Sequence, residues 1–107
     1  MRSRPSSVFK PLAAALLIAA TLPSAAQDAA ALRQKALAAT CANCHGTEGR
    51  ALPGMVSMAG YDKDSMVKTM LDFKSGRRPA TLMHQIAKGY SDAEIIAIAG
   101  YFAAQKK

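Results

Sequence analysis

Two thiols and an imidazole fall inside five residues, in the run Cys41-Ala42-Asn43-Cys44-His45. On a helix, positions three apart share a face one turn from each other, and His45, four after Cys41, stays close to that face. This is the C-x-x-C-H spacing of haem c attachment. Its thiols add as thioethers to two vinyl groups on one side of a porphyrin, and its imidazole reaches the iron of the same macrocycle. Other chemistries fit the run less well. A thioredoxin-like redox pair belongs beside a βαβ pattern, and no such pattern surrounds it. A closed zinc site takes four ligands, and the chain has no second cysteine pair. A disulfide between Cys41 and Cys44 would close only a very small loop.

A low-spin electron-transfer haem needs a second axial ligand opposite His45. The candidates are Met55, Met58, Met66, Met70, Met83 and His84. Met66 and Met70, with Phe73, fall at i, i+4 and i+7 and read as the inner face of a helix. Met55 and Met58 follow the thiol motif closely and read as pocket lining. Met83 stands before the last helix, far enough along the chain to return over the other face of the ring. A thioether there is soft and neutral and raises the potential of the iron. His84 reads as a surface histidine. The expected site is therefore Cys41 and Cys44 for covalent attachment, with His45 and Met83 on the iron of one haem c. A sensor or catalytic haem with an open sixth position is the weaker reading, because no acid–base constellation stands beside Met83.

These residues need elements to hold them. The chain has 107 residues and two cysteines, which bounds it to one small domain. Its first stretch reads as a secretory leader. Arg2, Arg4 and Lys10 form a basic start, Leu12 to Leu22 is an apolar run too short to span a bilayer, and Pro23 breaks it. Ser24-Ala25-Ala26 offers small residues for cleavage after Ala26. The predicted division is 1–26 leader and 27–107 domain, exported to the periplasm with no membrane span after cleavage. Haem c is attached outside the cytoplasm, so export and C-x-x-C-H agree. All seven acids but only eleven of the fourteen Lys and Arg lie in 27–107, a formal charge of +4. That balance suits docking on an acidic partner. No basic stripe interleaved with aromatics points to nucleic acid.

Within 27–107 the pattern is helical throughout, with no strand-like alternation. Asp28 is a candidate N-cap for an alanine-rich first helix running to Cys44, with Leu37, Cys41 and Cys44 on one face and Gly46 and Gly49 ending it. Residues 46–60 read as an apolar loop covering the haem. A second helix is predicted over about Lys63 to Lys74, capped by Asp62 and stopped by Gly76. Residues 79–90 read as a loop or a short irregular helix. Ser91-Asp92-Ala93-Glu94 is a capping box before a last helix of about Asp92 to Ala104. Its inner face is Ile95, Ile98, Ala99 and Phe102, and Gly100 would let another backbone, that of the first helix, come close. The fold class is all-α, three main helices around one covalent haem. A domain this small is marginal on its own core, and a bound haem would add a large apolar body to it.

The chain resembles the class I cytochromes c, and within them the cytochrome subunits of flavocytochrome c sulfide dehydrogenases. The resemblance rests on Cys41-Ala42-Asn43-Cys44-His45-Gly46, Asp72-Phe73-Lys74-Ser75-Gly76, Met83-His84-Gln85-Ile86-Ala87-Lys88-Gly89-Tyr90-Ser91, and Ala99-Gly100-Tyr101-Phe102. It implies the class I fold and a distal iron ligand at Met83. It also implies an FAD-containing sulfide dehydrogenase subunit as electron donor, with a downstream soluble cytochrome or other acceptor. In that reading the chain moves electrons and is not itself the enzyme. Val56 stands where many such proteins have a proline that packs by the proximal histidine, which leaves open what orients His45. Some members carry two haem domains; this chain has one C-x-x-C-H. The competing reading is a free diffusible monohaem carrier with no dedicated flavoprotein.

Overall fold

The computed structural model describes residues 22–107. Among them the chain forms five α-helices and no strand. They are α1 (Leu22–Ala39), α2 (Ala42–His45), α3 (Lys63–Lys74), α4 (Met83–Lys88) and α5 (Asp92–Ala103), with a short 3-10 turn at Thr47–Gly49. This is the expected all-α class. Most of the expected leader lies outside the described residues, and residues 22–26 form the first turns of α1. No helix of the described residues is long and apolar enough to cross a membrane.

The core is made where three long helices meet. α1 packs across α5, and α3 packs against both α4 and α5. The predicted inner face of α5 is the centre of it: Ile95, Ile98, Ala99 and Phe102 are all buried. They meet Ala38 of α1, Met66 and Met70 of α3, and Ala87 of α4. Burial of a side chain such as Phe102 or Ile95 contributes about 1.5–3 kcal/mol. Tyr101 packs edge-on against Phe102, with ring centroids 5.2 Å apart.

The ends of α3 and α5 are fixed by local chemistry. At α3 the Ser65 N–H donates to Asp62 Oδ1 at 2.8 Å, and Gly76 takes a left-handed φ of 78° just past the last turn. At α5 the capping box is complete: Glu94 N–H donates to Ser91 Oγ at 3.2 Å, and Ser91 N–H donates to a Glu94 carboxylate oxygen at 2.9 Å.

The first helix departs from the expectation. Asp28 lies inside α1, not at its start, and the helix does not run on to Cys44. It breaks at Thr40–Cys41, where Cys41 N–H bonds Ala38 O in a tighter i→i−3 turn at 3.1 Å. Gly100 also differs. A Cβ built there would meet only the side-chain ends of Gln34 and Lys63 at 3.9 Å, so no backbone comes close. The α1–α5 contact exists, but the side chain of Gln34 carries it past Gly100.

Candidate functional site

The thiol motif survives the helix break because the break is itself a turn. Cys41 keeps right-handed helical dihedrals (φ −69°, ψ −25°), and its carbonyl accepts from Cys44 N–H at 3.3 Å and from His45 N–H at 2.9 Å. Cys41 and Cys44 thus remain one turn apart, with His45 closing the same turn. Cys41 is half-buried and Cys44 exposed, and the two are not joined to each other. Burial raises the Cys41 thiol above its ordinary value, against a smaller opposing effect from the Thr40 side chain. Gly46 then reverses the chain with φ 80°. A side chain there would collide with the Arg50 carbonyl, so the turn requires glycine.

The loop after the motif folds back on one carbonyl. Gly49 O accepts from Met58 N–H at 2.8 Å, Ala59 N–H at 3.1 Å and Ser57 Oγ at 2.9 Å. This pulls residues 56–59 beneath His45. The Val56 carbonyl lies 2.7 Å from His45 Nδ1. A carbonyl oxygen can only accept, so Nδ1 carries the hydrogen and the neutral ring keeps its lone pair on Nε2. A backbone group therefore orients the imidazole, and the presence of valine at 56 does not affect it. Sequence reasoning missed this contact, since no residue type announces a carbonyl's direction.

An apolar cavity of about 160 Å³ opens beside this turn, and both His45 and Met83 line it. Met58, Met66, Met70 and Phe73 complete most of its wall. Met83 is the first residue of α4, held there by the packing of α4 on α3. Met66 and Met70 belong to the buried core, as their helical spacing predicts. Met58 is half-buried, like Met83, and both pack against the core. Met55 is exposed and does not line the cavity. Leu52 and Val56 are 80% and 65% exposed, so the loop does not bury these apolar side chains among protein atoms. His84 is not the surface residue expected of it. It is half-buried, and its Nδ1 is sequestered without a hydrogen-bond partner.

Cations that precede Met83 in the chain are paired rather than free in solvent. Arg77 donates to Asp72 Oδ1 through Nε at 2.9 Å, and the same carboxylate takes Lys68 Nζ at 2.7 Å. These two partners hold the Asp72 carboxyl below its ordinary value, Lys68 first. Arg78 sits over the Phe73 ring, 5.4 Å from its centroid, and is the charged member of the cavity lining.

Chemically, the arrangement suits a flat apolar macrocycle with a central metal. A lone-pair imidazole nitrogen and a thioether share one apolar cavity, and two thiols flank the imidazole. The donor set and the fixed tautomer of His45 fit haem c.

Comparison with known proteins agrees. The chain is 35% identical over 85 residues to cytochrome c-554(548) of Halomonas halodenitrificans, covering 76% of this chain and 100% of that protein. The chain belongs to the class I c-type cytochromes. The cytochrome is also 40% identical over 70 residues to the cytochrome subunit of sulfide dehydrogenase from Chlorobaculum tepidum, covering 65% of this chain and 64% of that one. It is 40% identical over 86 residues to cytochrome c4 of Pseudomonas aeruginosa, covering 79% of this chain but 42% of the relative. It thus spans less than two thirds of the length of these last two relatives. No family model matches the chain. The cofactor of the c-type cytochromes is haem c.

Proposed function

We propose that this cytochrome carries one haem c, held through Cys41 and Cys44, with His45 Nε2 and the Met83 sulfur as axial ligands. The observation that carries the reading is the shared cavity, in which an imidazole with its Nδ1 hydrogen committed to Val56 O faces the same space as Met83. Bound there, the haem supplies one-electron redox chemistry. The chain's own residues would hold the group: Cys41 and Cys44 through their thiols, His45 through the Nε2 lone pair that the Val56 carbonyl leaves free, Met83 through its sulfur, with Met58, Met66, Met70 and Phe73 as apolar wall. With both His45 and Met83 given to the metal, the site would move electrons and leave substrate chemistry to another protein.

For that other protein the reading is an FAD-containing sulfide dehydrogenase subunit, with this cytochrome as its electron-accepting partner and a soluble cytochrome or other carrier downstream. A flavin accepts the two electrons that this haem takes one at a time. The 40% identity to a sulfide dehydrogenase cytochrome subunit supports it. The protein is proposed to work in the periplasm as residues 27–107, after removal of 1–26. A second reading, a free diffusible carrier, is favoured by the coverage of cytochrome c-554(548) over its whole length.

Expression with a periplasmic maturation system, then denaturing electrophoresis with haem staining, tests the covalent site. A mature wild-type band without haem stain would overturn it. Co-expression with a neighbouring flavoprotein gene, size-exclusion chromatography and sulfide-dependent haem reduction test the partner. Co-elution with reduction is expected. Separate elution without reduction selects the free carrier.

A further inference from the structure

The elements that carry His45 and Met83 are far apart in the chain. α2 leans on the 3-10 turn and on α1, whereas α4 leans on α3. Among the described residues one side-chain hydrogen bond joins the two sides. The Thr40 hydroxyl, on the residue before Cys41, lies 2.7 Å from the Tyr90 hydroxyl, fifty residues later. Tyr90 is half-buried between α4 and α5 and packs against the core. Its own position is fixed from a third side. Lys74 Nζ, at the end of α3, donates to the Tyr90 carbonyl at 2.7 Å and to Asp92 Oδ1 at 2.8 Å. Tyr90 N–H also reaches back to Ala87 O at 3.3 Å. The Tyr90 ring is therefore a strut whose foot is set by α3 and α4 and whose tip rests on the thiol turn.

We propose that Tyr90 is a positioning residue for the axial pair: through Thr40 it sets the separation between the turn carrying His45 and the helix carrying Met83, and so how firmly the Met83 sulfur is held. This rests on the His45–Met83 reading above. The physical ground is leverage. Thr40 lies at the break between α1 and α2, where no continuous helix ladder fixes the angle of the thiol turn. A hydroxyl pair there removes a freedom that the backbone leaves open. The same bond is of little consequence to the main core, which is made by α5 and the faces opposite it.

The test uses the mature haem protein with Tyr90→Phe, Thr40→Val and the pair together. Tyr90→Phe keeps the ring and removes only the hydroxyl; Thr40→Val keeps the shape. Two readouts are taken in the ferric protein: the sulfur-to-iron charge-transfer band and the affinity for imidazole. Each single variant is expected to raise imidazole affinity on the order of fivefold, the factor that the loss of one net hydrogen bond sets. The double variant should do no more than Thr40→Val alone, which removes the same bond together with the long 3.4 Å contact from the Thr40 hydroxyl to Leu37 O. Gln105→Ala, which removes the 2.8 Å bond from Gln105 Nε2 to Tyr101 O at the far end of α5, serves as the structural control and should leave imidazole affinity unchanged. A wild-type protein without the charge-transfer band refutes the axial pair itself. A wild type with the band, but with Tyr90→Phe unchanged in imidazole affinity or with Gln105→Ala equally affected, refutes the strut.

Discussion

Met83 and Met58 offer a matched pair of perturbations. Both are half-buried, both line the cavity, and both pack on the core. A fully buried methionine truncated to alanine costs about 2–5 kcal/mol, so for half-buried residues the low end applies, about 2 kcal/mol each. The packing loss is therefore nearly the same for Met83→Ala and Met58→Ala, and thermal or urea unfolding of the two variants should agree within about 1 kcal/mol before any ligand effect. Ligation separates them. Met83→Ala should abolish the sulfur-to-ferric-iron charge-transfer band and leave an open position. External imidazole then has no sulfur to displace, and its affinity should rise by at least about tenfold, equivalent to about 1.4 kcal/mol. Met58→Ala should keep the band and change imidazole affinity little. The reverse result, with the band lost in Met58→Ala and kept in Met83→Ala, would place the ligand in the 46–60 loop and refute the reasoning from α4.

Two further outcomes follow from the structure. Gly49 has φ +79°, and a Cβ there would lie 2.7 Å from Phe102 Cδ1 and 2.9 Å from Ala59 N, so Gly49→Ala should destabilise by about 2–4 kcal/mol. A urea midpoint shift worth less than about 1 kcal/mol would contradict that geometry. Asp62, Asp72 and Glu94 are all held below their ordinary values of 3.8, 3.8 and 4.5, by Ser65, by Lys68 and Arg77, and by Ser91 respectively. The unfolded chain then binds protons first as pH falls, so this contribution is present above those ordinary values and is lost as pH drops towards the folded ones. Asp72→Asn should flatten the acid side of the stability curve, and an equally steep fall in that variant would count against the cluster.

The parts that could be read in the sequence are those where a few neighbouring residues determine the outcome. Asp62 with Ser65 and Ser91 with Glu94 are local caps, and they set the starts of α3 and α5 where expected. Ile95, Ile98, Ala99 and Phe102 recur with helical period and are buried together. Met83 could be singled out by its place ahead of a capped helix, and it lines the cavity that His45 lines. The parts that could not be read depend on residues brought together by the fold. Asp28 is a good cap by type, yet α1 begins before it, because an alanine-rich stretch continues helix through an aspartate at modest cost. The break at Thr40 has no glycine or proline to mark it. The Thr40–Tyr90 bond, the stacking of Arg78 on Phe73 and the burial of His84 Nδ1 likewise carry no local signature.

The hydrogen bond from His45 to the Val56 carbonyl has a consequence for how the protein can change over generations. Every amino acid brings a carbonyl, so no single base change at codon 56 can delete the group that orients the imidazole. Valine, proline or any other residue that leaves the backbone path intact serves equally. The vulnerable feature is the path itself, which hangs on Gly49 O and its three donors. Drift is thus tolerated at the residue that makes the contact and penalised at a glycine seven positions earlier, which never touches the ring.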